Sequence, residues 1–290
     1  MVRWRQSPAG GNVEDRRSSG IPGGAAGGAG GIIVILILLA AVFLGVDPGA
    51  IFQGGGVPSG PTGPSSLSPE EEQQLANFSA QVLGDTDATW SRIFAEDLGR
   101  TYTRPTLVLY TGYVDSACGQ ASAAVGPFYC PSDQKIYLDL DFFHDLRAQY
   151  GAPGDFAEAY VIAHEVGHHV QTLLGTTQYV EAAQGRATSQ AEVNRLSVAL
   201  ELQADCYAGL WANRSSAQNL ILEPGDVEEG LNAASAVGDD RLQQQSQGYI
   251  VPDAFTHGSS AQRVACFRSG LDHGELGSCT NCGGLSVAGV

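Results

Sequence analysis

Basic residues are scarce: 15 Lys and Arg stand against 31 Asp and Glu in a chain of 290 residues, a formal net charge of −16 at pH 7. Phosphate contacts need clustered Lys and Arg, and no run of them forms a stripe here, so nucleic acid is excluded as a partner. The acidity reads as solubility. Long apolar runs are scarcer still. The single one is Ile32 to Val46, which Ala29, Gly30 and Gly31 extend to about 18 residues, near the lower limit for a membrane-spanning helix. A second Cys-x-x-Cys is also missing, and Cys279-Thr280-Asn281-Cys282 has no βαβ context, so zinc-ribbon or redox chemistry gives way to a structural role.

What surrounds the apolar run sets its direction. Arg3, Arg5, Arg16 and Arg17 precede it, and no Lys or Arg follows for about 45 residues. By the positive-inside rule the amino terminus stays in the cytoplasm and the remainder faces outward. A cleaved signal peptide is the competing reading, but the lead-in is long and no small-x-small cleavage site follows. The expected organisation is therefore a cytoplasmic segment over 1–28, a signal-anchor transmembrane helix over 29–46, a Gly/Pro/Ser-rich tether over 47–69 and one domain over 70–290, ample for a buried core. The expected location is the cell membrane, single-pass, with the domain outside the cytoplasm. Six cysteines agree with an oxidising exterior. Cys118 and Cys130 flank a loop between two strand-like segments and form the expected disulfide; Cys206, Cys266, Cys279 and Cys282 leave three connectivities open.

The chemistry lies in two short stretches, His164-Glu165-Val166-Gly167-His168 and Glu201-Leu202-Gln203-Ala204-Asp205. Residues four apart in a helix point the same way, one turn apart. His164 and His168 can thus reach one tetrahedral Zn²⁺, and Glu165 beside them can take a proton from its bound water. Glu201 and Asp205 repeat the spacing. Glu201 can be the third ligand, and Asp205 the acceptor that fixes a histidine tautomer. A surface helix with two solvated histidines is the bland alternative. It is opposed by the apolar spacing of Phe156, Ala159, Tyr160 and Ala163, which buries this helix and leaves its polar groups needing a shared partner.

Local signals place these stretches. Ser68-Pro69-Glu70-Glu71 starts a helix or helix pair that runs to about Leu98. Thr106 to Tyr113 reads as a strand, and Lys135 to Phe143 as a half-buried one with Ile136, Leu138, Leu140 and Phe142 on one face. The motif helix spans about Asp155 to Leu174, and a polar loop over Gly175 to Thr188 leads to a Ser189/Glu192-capped helix that carries Glu201 and Asp205. Further helices are expected from about Asp226 to Val237 and, capped by Ser259 and Gln262, from about Ser260 to Ser269. His257 falls in the loop just before the last. His169 projects about 100° away from His168 and reads as a surface or supporting group, His144 and His273 as exposed. Gly167 inside a helix implies close approach of another backbone.

With these residues in view, the chain resembles the neutral zinc metallopeptidase family of bacterial membrane-anchored proteins. Matching stretches are Asn12 to Arg17, Gly126 to Pro131, Lys135 to Phe143, the HEVGH helix, Glu201 to Trp211 and Phe255 to Arg263. It is more distantly similar to other zincins with a downstream glutamate ligand. The resemblance implies an α+β, mostly helical zincin-like metallopeptidase domain with a small β-sheet, preceded by one transmembrane helix. It implies Zn²⁺ on His164, His168 and Glu201, Glu165 as general base, and a peptide or protein substrate. Similar zincins bind substrate as an added strand beside the metal, for which Lys135 to Phe143 is the candidate. They stabilise the oxyanion with a His or Tyr; His257 is the unassigned candidate, with Tyr160 and Tyr207 reading as core. A cell-wall peptide amidase and a non-catalytic membrane-anchored scaffold with the same fold are the alternatives. Cleavage specificity and oligomeric state are not encoded in any motif.

Overall fold

The structure, a computed structural model, describes residues 2–6, 10–17, 65–280 and 282–285. The expected span 29–46 and nearly all of the tether lie outside the described residues. Among those described, no helix is long and apolar enough to cross a membrane.

In chain order, two short strands come first, β1 (Arg3–Trp4) and β2 (Val13–Asp15). Helix α1 (Pro69–Glu96) opens with the expected capping box between Ser68 and Glu71 and runs unbroken as one helix. Its Phe78, Val82, Trp90 and Phe94 enter the core. Strands β3 (Thr106–Tyr110), β4 (Tyr113–Ser116), β5 (Gly119–Ser122), β6 (Phe128–Cys130) and β7 (Lys135–Asp139) follow. Then come helices α2 (Asp141–Ala148), α3 (Asp155–Leu174), α4 (Thr176–Gln184) and α5 (Gln190–Ser216), and strand β8 (Leu220–Ile221). Helices α6 (Asp226–Ala236), α7 (Asp239–Gln247), α8 (Ser260–His273) and α9 (Leu276–Thr280) close the described chain. The fold is mixed α+β, mostly helical with small sheets.

The main sheet has the order β2-β3-β7-β6, with β2, β3 and β7 parallel and β6 antiparallel to β7. This corrects two expectations. The stretch Lys135 to Phe143 is not a half-buried strand: Tyr137 and Asp139 are as buried as Ile136 and Leu138, because β7 is interior and covered on both faces. It also ends early. The Asp139 carboxylate accepts backbone N–H groups of Gly112 and Asp141, which turns the chain into α2. Residues 2–6 and 10–17 pack on the elements that follow, β1 pairing with β8 and β2 with β3.

Helix α3 is apolar almost all round, so it lies inside rather than at the surface, every residue from Phe156 to Gly167 being buried. Helix α5 approaches it at Gly167, where a Cβ would stand 2.9 Å from the Ala204 carbonyl oxygen. The predicted close approach is therefore real, and it brings Glu201 opposite the two histidines. Helices α5 and α8 meet even more tightly at Gly209 and Gly270, where each Cβ would lie 1.9 Å from the other helix's backbone carbonyl. Disulfides Cys206–Cys279 and Cys266–Cys282 tie α5 and α8, respectively, to the C-terminal segment that follows them, and Cys118–Cys130 forms as expected. The polar loop expected over Gly175 to Thr188 contains α4, since left-handed Gly175 ends α3 and lets the chain restart at once.

Candidate metal centre

Tyr160, His164 and His168 share one face of α3 by their four-residue spacing. Glu201 faces them from α5. The His164 Nε2 lies 3.2 Å from one Glu201 carboxylate oxygen and the His168 Nε2 3.4 Å from the other. Ligand atoms of His164, His168 and Glu201 all fall within 4.8 Å of one another. Two neutral imidazoles and a carboxylate, converging from two rigid helices, are a donor set that suits Zn²⁺.

Each imidazole is held by its other nitrogen. His164 Nδ1 faces Asp205 Oδ1 at 2.9 Å, and Nδ1 of His168 faces Gln171 Oε1 at 2.9 Å. Gln171 cannot turn, because its Nε2 donates to the Leu200 carbonyl at 2.6 Å and to Gln203 at 3.2 Å. With both Nδ1 protons engaged, both Nε2 lone pairs point to the same place. Asp205 is itself wholly buried and shared: Arg263 donates to it through Nε at 2.8 Å and Nη2 at 2.9 Å, and the Tyr160 hydroxyl donates to it as well.

These contacts set the charge states. Burial pushes the Asp205 carboxyl up, but the Arg263 guanidinium and His164 outweigh it and hold it below its ordinary value. Burial likewise opposes ionisation of Glu201, which His168 and His164 nonetheless draw well down. Glu165 lies beside both histidines at the cavity wall, and burial raises its carboxyl. That is the direction that makes a carboxylate a better base.

His257 lines the same cavity, 340 Å³ in volume, as His164, Glu165, His168 and Glu201. Its Nδ1 lies 3.1 Å from Asp239 Oδ1, while Asp239 Oδ2 accepts the backbone N–H groups of Thr256, His257 and Gly258. The loop before α8 is thereby fixed. Burial alone would discharge His257, but the hydrogen bond to Asp239 and the charge of Glu201 raise its pKa. The same cavity is also lined by apolar and aromatic side chains, among them Phe128, Phe142, Tyr150, Val161 and Val180.

Among the described residues, the free edge of the main sheet beside this cavity is β6 rather than β7. Of the two readings open for His169, surface or supporting group, the structure shows the second: it is completely buried and ties α3 to that edge. It donates Nε2–H to the Thr103 carbonyl at 2.6 Å and accepts the Tyr129 hydroxyl on Nδ1 at 3.0 Å. Burial lowers its pKa to about 4, so it is neutral. Tyr160 and Tyr207 are core residues as expected, and His144 and His273 are exposed.

Three supporting residues escaped the sequence reading: Arg263, Asp239 and Gln171. Arg263 stood at the end of the Phe255 to Arg263 stretch, and a buried arginine four residues after a helix cap was the available signal. Its partner lies 58 residues away, and no local spacing announces such a pair.

Fold and site define an α+β protein with a buried helix pair that converges two histidines and a glutamate on one point. The chain belongs to the family described as "Putative neutral zinc metallopeptidase", whose model matches residues 2–282. It is 50% identical over 289 residues to the uncharacterized protein YpfJ of Escherichia coli K12, covering 97% of this chain and 99% of that one. It is 46% identical over 204 residues to the uncharacterized protein Rv2575 of Mycobacterium tuberculosis H37Rv, covering 67% of this chain and 66% of the relative. No solved structure matches the chain.

Proposed function

We propose that the protein is a zinc-dependent peptidase that hydrolyses peptide bonds outside the cytoplasm. The observation that carries this reading is the convergence of His164, His168 and Glu201 within 4.8 Å, with Glu165 beside them in the cavity wall. His164 and His168, each through Nε2, and the Glu201 carboxylate would hold the ion. A zinc ion so held supplies Lewis acidity, lowering the pKa of water toward ~7 and polarising a carbonyl.

The chain's own residues do the rest. Glu165 accepts the proton of the attacking water and delivers it to the leaving nitrogen of the scissile amide. His257, aimed by Asp239, donates to the carbonyl oxygen as negative charge develops on it. Asp205 and Gln171 keep the two imidazoles from rotating. The edge of β6, unpaired among the described residues, offers backbone groups to an extended peptide on the side away from its antiparallel neighbour β7. The wall of Phe128, Phe142 and Val161 suits an apolar substrate side chain. Location outside the cytoplasm is supported by the pairing of all six cysteines.

The test is an unbiased peptide library incubated with the zinc-loaded full-length chain, beside its Glu165→Gln variant. Cleavage by the first and not the second is expected. A wild-type protein that holds zinc yet cuts no peptide would overturn the reading.

A further inference from the structure

The four arginines that set the orientation of the apolar stretch by the positive-inside rule are all engaged with the folded domain. Arg3 Nη1 donates to Glu223 at 2.6 Å, and Arg5 Nη1 to the Ser216 carbonyl at 3.0 Å. Arg16 Nη1 donates to the Asp115 carbonyl at 3.2 Å, and Arg17 Nη1 to the Glu72 carbonyl at 3.2 Å. They are docking contacts, and their charge says little about which side of a membrane they occupy.

The backbone between them is docked too. Strand β2 adds to the parallel edge of β3, with the Leu107 N–H donating to the Asn12 carbonyl and the Arg16 N–H to the Leu109 carbonyl, both at 2.8 Å. Glu14 reaches across β3 to ion-pair with Lys135 on β7 at 2.7 Å. The Gly11 N–H donates to Ala80 of α1 at 2.8 Å. A second, independent attachment lies upstream: Val2 is buried, Trp4 packs on Phe78 with ring centres 6.5 Å apart, and β1 pairs with β8.

Where the chain leaves and re-enters decides the topology. Arg17 touches Glu72 in the first turn of α1, so the two ends of the intervening stretch emerge at one patch of the surface. A single membrane crossing separates its ends by about 30 Å of hydrocarbon, whereas strand pairing requires about 4.8 Å. The two cannot hold together. We infer that residues 2–17 and 65–285 occupy the same side of any membrane to which the chain is attached, with the N-terminal segment serving as the edge strand of the catalytic domain.

Two readouts on the full-length chain in cells test it. Gln6 and Glu275 are exposed on the two pieces, so Gln6→Cys and Glu275→Cys are labelled separately with a membrane-impermeant maleimide in spheroplasts and again after lysis. Equal accessibility of the two before lysis, whether both high or both low, is the expected result. Gln6→Cys protected while Glu275→Cys reacts, or the reverse, overturns the inference. Second, the Asn12 side chain donates to Thr106 at 2.8 Å, so Asn12→Cys/Thr106→Cys should form a disulfide. With a protease site inserted at Gly54, cleavage should leave the N-terminal piece joined to the domain until a reductant is added. Release without reductant counts against the docking.

Discussion

Helix α3 serves two clusters of the same size and closeness. Asp155 at its start stands with Asp226 and Glu229, and His164 and His168 in its middle stand with Glu201; in both, three possible ligand atoms lie within 4.8 Å of one another. The resemblance ends there. In the acidic cluster burial raises the carboxyls of Asp226 and Glu229. In the histidine cluster the imidazoles draw Glu201 well down in spite of burial. Around the histidines a second ring of groups, Asp205, Arg263, Tyr160 and Gln171, orients both imidazoles. The acidic groups are engaged differently: Glu229 accepts the Phe156 N–H at 3.1 Å, where a negative charge favours the helix N-terminus. Proximity is common to both clusters. What suits one of them to a metal ion is mixed donor chemistry backed by buried partners.

Four experiments break or sharpen this contrast, beginning with the largest effect. Glu165→Gln should lower turnover by about 10²–10⁴-fold, the usual worth of a general base, while metal content stays unchanged. Steady-state rates on any cleaved peptide, with metal analysis alongside, read this out. Arg263→Met removes the guanidinium that donates twice to the buried Asp205, and an uncompensated buried charge costs about 3–5 kcal/mol. Urea unfolding should show a loss of that order, with no counterpart when an acidic-cluster residue is replaced.

Asp205→Asn keeps the shape but weakens the acceptor for His164 and Arg263. Zinc affinity should fall about 10–100-fold, as measured by competition with a fluorescent chelator. The smallest effect concerns pH. Asp226 and Glu229 have raised pKa values in the folded state, so the native protein binds more protons than the unfolded one as pH climbs past the ordinary carboxyl range. Their contribution to stability is therefore lost as pH rises. Glu229→Gln should gain on the wild type between pH 5 and pH 8 in urea unfolding, by well under 1 kcal/mol because the group is partly exposed.

The histidine cluster was readable in the sequence because its geometry is local. HEVGH and Glu201-x-x-x-Asp205 are each one helical turn, and apolar spacing around Phe156 to Ala163 announced the burial of the first. Helix caps at Ser68, Ser189 and Ser259 were equally local, and each accepts the expected backbone N–H. What stayed hidden depends on long-range pairing. The interior position of β7 comes from its neighbours β3 and β6 rather than from its own alternation. Helix α7, Asp239 to Gln247, is almost wholly polar and carries no core stripe to betray it. The bond from Asp239 to His257 spans 18 residues and that from Asp205 to Arg263 spans 58. The docking of residues 2–17 was missed because four arginines before an apolar run form a signal that flanking charge alone explains.

Metal stoichiometry on the purified full-length chain, with Glu201→Ala, Glu165→Gln and Glu229→Gln beside it, separates the two clusters directly. Mass spectrometry should find near one zinc per wild-type chain, retained in Glu165→Gln and Glu229→Gln and lost in Glu201→Ala. A wild-type chain that takes up no zinc after metal loading, or one that loses it with Glu229→Gln and keeps it with Glu201→Ala, would contradict the assignment of His164, His168 and Glu201 as the metal centre.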